Sequence, residues 1–241
     1  MKIVIPMAGE GSRFVKAGYT FPKPLIDVEG APMIQRVVDN LKHFDADFIF
    51  LVRKEHLEKY NIEALLNTIT DKRCDIVEVN GCTEGAACTV LLAKEYINSS
   101  ESLLIANSDQ IIEYSAENFK LLCQMGHSYS HGSGDFIWTF NATNPKWSFA
   151  KVAPFGNIIQ VAEKNPISNI ATCGVYFWDQ GSAFVMCAEE MIKRNIRVNG
   201  EFYVCPVYNV AIEKGRRVWP FYVDKMWGIG TPEDLESYLN R

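Results

Sequence analysis

The stretch that decides the fold of this chain is KIVIPMAGEGSRFVKAGYTFPKPL, residues 2–25. Its β-branched run IVI, residues 3–5, predicts a buried strand that ends near Met7. Gly9 and Gly11 follow this strand. Glycine allows a positive φ and leaves no Cβ in the way, so backbone N–H groups there can approach an anion closely. The stretch therefore predicts a strand followed by an anion-binding loop.

Two basic residues add positive charge to this loop. The guanidinium of Arg13 can clamp phosphate oxygens in a bidentate fork, and Lys23 acts as a compact point charge, so the pair suits a polyphosphate. The loop lacks the third glycine of a dinucleotide fingerprint, and the chain has no GxxxxGK[ST] string, which disfavours a dehydrogenase or a P-loop protein. A glycine turn with solvated basic residues stays open as the alternative.

The composition excludes several classes of protein. With 241 residues, of which 48% are hydrophobic and 22% charged, the chain is long enough to bury a substantial core. The formal charge of −5 and the lack of a dense basic block argue against nucleic-acid binding. No apolar run approaches the roughly 20 residues that span a bilayer, and no leader pattern precedes the first strand. We therefore expect a cytoplasmic protein without a membrane or nucleic-acid partner.

The cysteines and histidines give little indication of a metal site. The seven cysteines include no C-x-x-C pair, which argues against a disulfide framework and a zinc ribbon, and we expect most of them in the core. His127 and His131 have i, i+4 spacing, but the surrounding glycines and serines disfavour a helix and a metal site there.

Strands and helices alternate through residues 1–126. Helix patterns cover residues 32–41, 62–69 and 83–97, and buried strand patterns cover residues 48–52, 75–79 and 102–106. This alternation predicts right-handed crossovers and a parallel sheet. Asp109 follows the last of these strands, and ligands gather at the carboxyl edge of such sheets, so Asp109 should face the same crevice as the first loop.

The pattern changes after about Gly126, where HSYSHGSGD forms a polar connection. Strand patterns then cover residues 136–141, 149–153, 157–163, 171–178 and 218–223, and helix patterns cover residues 182–194 and 202–213. A final helix should begin at Pro232, with Thr231 as its N-cap and Asp234 as the acidic partner. We therefore expect a mixed or partly antiparallel region joined to the first half.

Three charged side chains and one serine are candidates for a chemical role. Asp109 is well placed to hold a hard cation such as Mg²⁺, although a turn or helix cap is the alternative. Glu163 and Lys164 can meet hydroxyl or amine groups and a phosphate, although adjacent surface charges are often only solvated. Ser108 has no histidine at a suggestive spacing, and nothing resembles a nucleophile elbow, which disfavours a hydrolase.

The opening stretch resembles the sugar-phosphate nucleotidyltransferase family, whose signature runs approximately A-G-x-G-[ST]-R-[LF] and then P-K-P-L. The chain matches it at residues 8–14 (AGEGSRF) and 22–25 (PKPL). Residues 84–87 (EGAA) resemble the base-binding turn of the family, and residues 107–109 (NSD) its metal-binding strand end. Four matches in order are far more specific than one glycine loop.

This resemblance implies an α/β fold, a Rossmann-like mixed β-sheet flanked by helices. It also implies a single nucleotidyltransferase domain at residues 1–241, with a nucleotide-binding half at 1–126 and an acceptor-binding half at 127–241. The residues expected to meet a nucleoside triphosphate lie on the first loop, the base turn and the strand end: Ala8, Gly9, Gly11, Ser12, Asn80, Glu84, Gly85 and Asn107. They do not determine which base is bound, and the sequence leaves the oligomeric state open.

Later segments resemble the acceptor side of the family. Residues 161–166 (VAEKNP) are similar to V-x-E-K-P, residues 172–177 (TCGVYF) to a strand that includes Gly174, and residues 200–203 (GEFY) to a helix start. The resemblance implies that Lys164 binds the phosphate of the acceptor and Glu163 its polar body. The acceptor would be a sugar 1-phosphate, phosphocholine or a phosphorylated amide, and its product a capsule or polysaccharide precursor.

One departure from the family concerns the metal. Many members carry W-x-D-x-G-T, whose aspartate is the second ligand of Mg²⁺, but residues 226–231 read MWGIGT and place Gly228 at that position. We therefore expect Asp109 and, as a substitute, Asp224 to hold Mg²⁺.

The implied reaction is Mg²⁺-dependent attack of a phosphomonoester on the α-phosphorus of the triphosphate, with departure of pyrophosphate. The attacking group is largely dianionic at pH 7, with a second pKa of about 6, and so needs no general base. Arg13 would stabilise the leaving pyrophosphate and Lys23 the reacting phosphates. A catalytically inactive nucleotide or sugar sensor stays open because of Gly228, as does a glycosyltransferase, whose D-x-D motif residues 107–109 match only in part.

Overall fold

The computed structural model describes residues 1–128 and 134–241, with residues 125–128 described by their backbone alone. Its strands are β1 (Lys2–Pro6), β2 (Asp27–Val28), β3 (Ala31–Pro32), β4 (Asp47–Arg53), β5 (Cys74–Val79), β6 (Leu103–Ala106), β7 (Gln110–Glu113), β8 (Asp135–Asn141), β9 (Ser148–Val152), β10 (Ile158–Glu163), β11 (Ile170–Trp178), β12 (Val218–Tyr222) and β13 (Lys225–Gly228). Its helices are α1 (Ser12–Lys16), α2 (Met33–Leu41), α3 (Lys54–Lys59), α4 (Ile62–Ile69), α5 (Ala86–Leu91), α6 (Lys94–Ile97), α7 (Ala116–Ser128), α8 (Gly181–Lys193), α9 (Val207–Glu213) and α10 (Pro232–Leu239), with a 3₁₀ turn at Lys23–Leu25.

A nine-stranded sheet runs through the described residues in the order β5-β4-β1-β6-β11-β8-β12-β10-β9. β1 pairs in parallel with β4 and β6, and β4 with β5, which confirms the parallel sheet predicted for the first half. β11 runs antiparallel to β6 and β8, and β10 antiparallel to β9 and β12, so the second half extends the same sheet with mixed directions. The predicted α/β fold with a mixed sheet flanked by helices is confirmed.

Both faces of the sheet are covered, and β1 is buried from both sides. Ile3 and Ile5 pack with the side chains of α2 and α4, whereas Val4 packs with those of α5, α8 and α9. All three are 0% exposed. Strands covered on both faces read as continuous apolar runs, which is why the IVI run indicated this strand. Five apolar residues of α2 are also buried, namely Met33, Ile34, Val37, Val38 and Leu41.

Two predicted helices differ from the structure. The helix predicted at 83–97 is divided into α5 and α6, because the N–H groups of Leu92 and Ala93 donate to carbonyls three residues back and so form a 3₁₀ turn. The helix predicted at 202–213 begins only at Val207, because the backbone of Phe202 is hydrogen-bonded to the turn around Gly85 instead.

A two-stranded antiparallel ribbon of β7 and β13 lies outside the large sheet and was not predicted. It brings the chain after β13 to the end of β6, where the N–H of Ile229 donates to the carbonyl of Asp109 at 2.9 Å. The helix α10 follows directly. Its predicted N-cap is confirmed, since Thr231 Oγ1 accepts from the N–H of Asp234 at 3.1 Å.

Helix α7 was also not predicted and covers the start of the expected polar connection. The prediction about His127 and His131 falls outside the described residues, apart from the backbone of His127. Within residues 1–128 and 134–241, no helix combines the length and the apolar composition that a membrane crossing requires.

Candidate functional site

The loop after β1 depends on glycine at one position. Gly11 has a φ of 62° and is the N-cap of α1. A Cβ at this residue would lie 3.1 Å from the Cβ of Lys23. A side chain would therefore strain the backbone and displace the lysine. Gly11 is what allows the loop and Lys23 to pack together.

An ion pair joins the first loop to the end of β6. Lys23 Nζ lies 2.8 Å from Asp109 Oδ2, and the two side chains are 18% and 22% exposed. The pair forms because β6 lies next to β1 in the sheet, which brings their carboxyl ends together. The predicted crevice between the loop and Asp109 is therefore present in the structure.

A cavity of about 400 Å³ opens beside this ion pair. The predicted residues on its lining are Ala8, Gly9, Lys23, Gly85, Asn107 and Asp109. The lining also includes residues that the sequence analysis did not assign, namely Cys82, Thr83, Thr89 and Glu201. The hydroxyls of Thr83 and Thr89 lie 2.6 Å apart, beside the carbonyl of Gly85. The cavity therefore combines backbone, charged and hydroxyl groups, as a nucleotide site requires.

Five residues predicted for the triphosphate side do not line this cavity, and one of them is Gly11 in the first loop. Ser12 and Arg13 are exposed on α1, and Asn80 is exposed after β5. The side chain of Glu84 is 66% exposed and forms an ion pair with Arg197 at 2.5 Å. The carboxylate of Glu84 is therefore engaged at the surface.

The base turn predicted around Gly85 is closed by a segment from the second half of the chain. The N–H of Phe202 donates to the carbonyl of Glu84 at 2.8 Å, and the N–H of Ala87 donates to the carbonyl of Phe202 at 2.9 Å. Gly85 has a φ of 134°, and a Cβ there would overlap the backbone of Phe202. Glycine at this position is therefore required by both conformation and space.

Gly174 lies where β11 meets the end of β6. Its carbonyl accepts from the N–H of Asn107 at 2.9 Å, its φ is 72°, and a Cβ would overlap the side-chain amides of Asn107 and Gln110. Gln110 Oε1 is buried and has no hydrogen-bond partner among the described residues. The missing side chain at Gly174 thus leaves room for two amides beneath the cavity.

The predicted acceptor residues lie at the end of β10. Glu163 Oε2 accepts from Ser148 Oγ. Burial raises the pKa of Glu163 and the carboxylate of Glu201 adds to this, while Ser148 and Lys164 oppose it. Because Glu201 also lines the cavity, Glu163 and the cavity share a neighbouring side chain. Neither Glu163 nor Lys164 lines the cavity itself.

Lys164 is held by two neighbouring segments. Its N–H donates to the carbonyl of Trp147 at 3.0 Å, and its Nζ donates to the hydroxyl of Tyr203 at 2.7 Å and lies 4.7 Å from the ring centroid. Its φ is 53°, in the left-handed region. The ammonium group is thus directed toward the segment that closes the turn at Gly85.

The structure does not bring Asp224 to Asp109. The N–H of Asp224 donates to the carbonyl of Glu113, whereas Asp109 precedes Gln110 at the other end of the same ribbon. At about 3.4 Å per residue, the two aspartates are about 15 Å apart along β7. The expectation that Asp224 replaces the family ligand was therefore wrong on geometric grounds, because the ribbon and its register were not predicted.

Of the two aspartates expected to hold Mg²⁺, only Asp109 lies on the cavity lining. Mg²⁺ in nucleotide sites is commonly bound through one or two carboxylates together with substrate phosphates. Asp109 fits this chemistry at the end of β6, and the described residues contain no cluster of three His, Cys, Asp or Glu that could hold a cation alone. A cation at this site would therefore depend on the phosphates of a bound nucleotide.

The sheet order, the glycine loop and the carboxylate at the end of β6 define an α/β protein with a crevice at the carboxyl ends of β1 and β6. The chain belongs to the nucleotidyl transferase family, whose model matches residues 2–238. The resemblance stated from the sequence motifs is thereby confirmed.

Curated relatives carry related names. The low-salt glycan biosynthesis nucleotidyltransferase Agl11 of Haloferax volcanii is 28% identical over 243 residues, which cover 98% of this chain and 64% of that protein. The bifunctional protein GlmU of Methanocaldococcus jannaschii is 27% identical over 183 residues, which cover 75% of this chain and 40% of that protein. The chain spans less than two thirds of the length of these relatives.

Solved structures share the fold. A nucleoside-diphosphate-sugar pyrophosphorylase from Vibrio cholerae RC9 is similar with a TM-score of 0.85 and 27% identity, covering 99% of this chain and 100% of that one. The inositol-1-phosphate CTP transferase from T. maritima has a TM-score of 0.73 at 14% identity, covering 100% of this chain and 96% of that one, and shows the fold alone.

Proposed function

We propose that this protein transfers a nucleoside monophosphate from a nucleoside triphosphate to a phosphorylated small molecule and releases pyrophosphate. The observation that carries the proposal is the Lys23–Asp109 ion pair beside the cavity, at the junction of the glycine loop and the end of β6. Family membership and the names of the relatives support the same reaction. We assign the reaction to the cytoplasm, where triphosphates are available.

The triphosphate side is formed by the first loop. The backbone at Gly9 and the ammonium of Lys23 face the cavity and suit phosphate oxygens. Arg13 is exposed on α1 and would stabilise the departing pyrophosphate as its charge develops. Asp109 would hold Mg²⁺, which supplies charge neutralisation when bound together with the triphosphate.

The acceptor side would be formed by β10 and by Gly174, which lies within β11 next to the end of β6. Lys164 would bind the phosphate of the acceptor, and Glu163 would accept hydrogen bonds from its body. The nucleophile is the phosphate oxygen of the acceptor, which is largely dianionic at neutral pH and needs no general base. Catalysis then consists of positioning and charge stabilisation. A sugar 1-phosphate, phosphocholine and a phosphorylated amide are the acceptors to be compared.

The experiment is a pyrophosphate-release assay with all common triphosphates against a panel of phosphorylated acceptors, with and without Mg²⁺. We expect turnover with one triphosphate and one acceptor class, and a loss of a hundredfold or more in Asp109→Ala, in line with the roughly 3 kcal/mol that such contacts contribute. Asp224→Ala, far from the ion pair, is the matched control and should keep its activity. Turnover by no pair, or full activity of Asp109→Ala, would contradict the proposal.

A catalytically inactive sensor is the second candidate, and a specific observation favours it. Gly228 supplies no carboxylate, and the ring of Trp147 lies 3.0 Å from the position of a Cβ there. Calorimetry separates the candidates, because a sensor binds triphosphate tightly without Mg²⁺ and gives no turnover, whereas the transferase binds the triphosphate more tightly when Mg²⁺ is present.

A further inference from the structure

A serine hydroxyl holds the carboxylate of Glu163. Ser148 lies directly opposite Glu163 in the antiparallel register of β9 and β10, and its Oγ donates to Glu163 Oε2. Ser148 is only 7% exposed, so its hydroxyl is largely shielded from competing water. This hydrogen bond favours one rotamer of the Glu163 side chain over the others.

A phenol hydroxyl holds the ammonium of Lys164 in the same way. Lys164 is exposed, and a free lysine side chain has several rotamers, but its Nζ donates to the hydroxyl of Tyr203 at 2.7 Å. The backbone next to Tyr203 is held, because the preceding residue Phe202 is hydrogen-bonded to Glu84 and Ala87. The two members of the predicted acceptor pair therefore each have a hydroxyl partner from a different segment.

We propose that Ser148 and Tyr203 are positioning residues for the acceptor, Ser148 by fixing the carboxylate that meets the body of the acceptor and Tyr203 by fixing the ammonium that meets its phosphate. This inference rests on the proposed function, which assigns Glu163 and Lys164 to the acceptor. Neither hydroxyl lies on the lining of the cavity beside Lys23 and Asp109. Each therefore acts through its charged partner.

The surroundings of Glu163 determine how the two roles can be separated. Burial and Glu201 raise the pKa of Glu163, whereas Ser148 and Lys164 lower it. Tyr176 and Cys205 are buried nearby and stay neutral, since burial raises the pKa of each well above its ordinary value. Removing the hydroxyl of Ser148 therefore raises the pKa of Glu163 further. Removing the hydroxyl of Tyr203 leaves the hydrogen bond from Ser148 to Glu163 in place and acts on the pKa of Glu163 only through the position of Lys164.

The test uses Ser148→Ala and Tyr203→Phe in the full chain, with steady-state kinetics on the acceptor that the wild type uses best. A hydrogen bond to a charged group typically changes binding by about tenfold, so we expect the KM for the acceptor to rise about tenfold in each variant, with the KM for the triphosphate unchanged. In Ser148→Ala the acid limb of kcat/KM for the acceptor should move to higher pH, because Glu163 must be ionised to act. In Tyr203→Phe that limb should move less than in Ser148→Ala, because the hydrogen bond from Ser148 to Glu163 remains.

Matched controls are Ser168→Ala, whose hydroxyl bonds only to neighbouring backbone atoms and whose acceptor KM should not change, and Tyr222→Phe, whose side chain is exposed on β12. Ser148→Thr keeps the hydroxyl and should recover the wild-type pH profile, which keeps the test decisive if Ser148→Ala unfolds. An inactive wild type refutes the proposed function itself. An active wild type whose two variants keep the acceptor KM and the pH profile refutes only the positioning roles.

Discussion

The indole ring of Trp147 lies 3.0 Å from the point at which a side chain on Gly228 would begin. Asp234 Oδ2 lies 3.8 Å from the same point, and its carboxylate is paired with Lys146 at 2.6 Å. The position where many family members carry an aspartate is thus bordered by side chains from before β9 and from α10. A carboxylate side chain at this position would therefore require the ring of Trp147 to shift.

Gly228→Asp should therefore destabilise the fold. Overpacking against Trp147 and the charge of Asp234 should cost about 1–3 kcal/mol in the free energy of unfolding. The double variant Gly228→Asp, Trp147→Ala lacks the indole ring, so the added side chain no longer meets it. Its loss in unfolding free energy should therefore be smaller than the sum of the losses of the two single variants by at least about 1 kcal/mol. Urea unfolding of the four proteins of this cycle gives the coupling. Additive costs would show that the ring does not limit this position.

Gly85→Ala should be among the most damaging single changes in the first half. The backbone of Gly85 has a φ of 134°, and the added Cβ would overlap Phe202. The hydrogen bonds that join Phe202 to Glu84 and Ala87 must therefore break or lengthen. We expect a loss of about 3 kcal/mol or more in unfolding free energy. Gly215→Ala is the matched control, because Gly215 has a φ of 82° and open space around it, and its cost should be only about 1–2 kcal/mol. Equal losses of unfolding free energy in Gly85→Ala and Gly215→Ala would show that the contact between Gly85 and Phe202 adds nothing to the cost.

The predictions from sequence were accurate where the signal is local. A few consecutive residues are enough to predict three features: the apolar run of β1, the N-cap at Thr231 and the position of Asp109 after β6. The role of Ser148 depends on the register of β9 against β10, and the position of Asp224 on the register of β13 against β7, which no local pattern specifies. The helix predicted from 202 starts late because its first residues are bonded to a turn more than a hundred residues earlier.

Asp135 and Arg216 form a buried ion pair whose rupture should be pH-dependent. Arg216 donates to Asp135 at 2.7 and 3.0 Å, and Asp135 is 0% exposed. Burial raises the pKa of Asp135 despite this arginine. Protonation of Asp135 therefore stabilises the folded state at low pH, and this contribution is lost as the pH rises through the pKa of Asp135 in the folded protein. Without Arg216 the pKa rises further. We expect Arg216→Ala to cost about 3–5 kcal/mol at pH 7 and much less near pH 4, measured by urea unfolding at both values.

The double variant Asp135→Asn, Arg216→Met is the control, because it buries no charge at position 135. Its stability relative to the wild type should change less between pH 4 and pH 7 than that of Arg216→Ala. An equal loss at both pH values in Arg216→Ala would show that packing, and not the unpaired carboxylate, accounts for the effect.

Cys82 offers a test of nucleotide placement that does not require turnover. It is exposed on the cavity lining, whereas Cys173, Cys187 and Cys205 are buried, so a thiol reagent should label Cys82 before these three. The hydrogen bond to Glu10 raises the pKa of the Cys82 thiol, so labelling should be slow at pH 7 and should accelerate with rising pH and in Glu10→Gln. A bound triphosphate should slow the labelling at least threefold, with Cys82→Ser as the blank. Unchanged labelling at a triphosphate concentration that saturates binding by calorimetry would contradict nucleotide binding next to Cys82, because a ligand beside the thiol should restrict the access of the reagent.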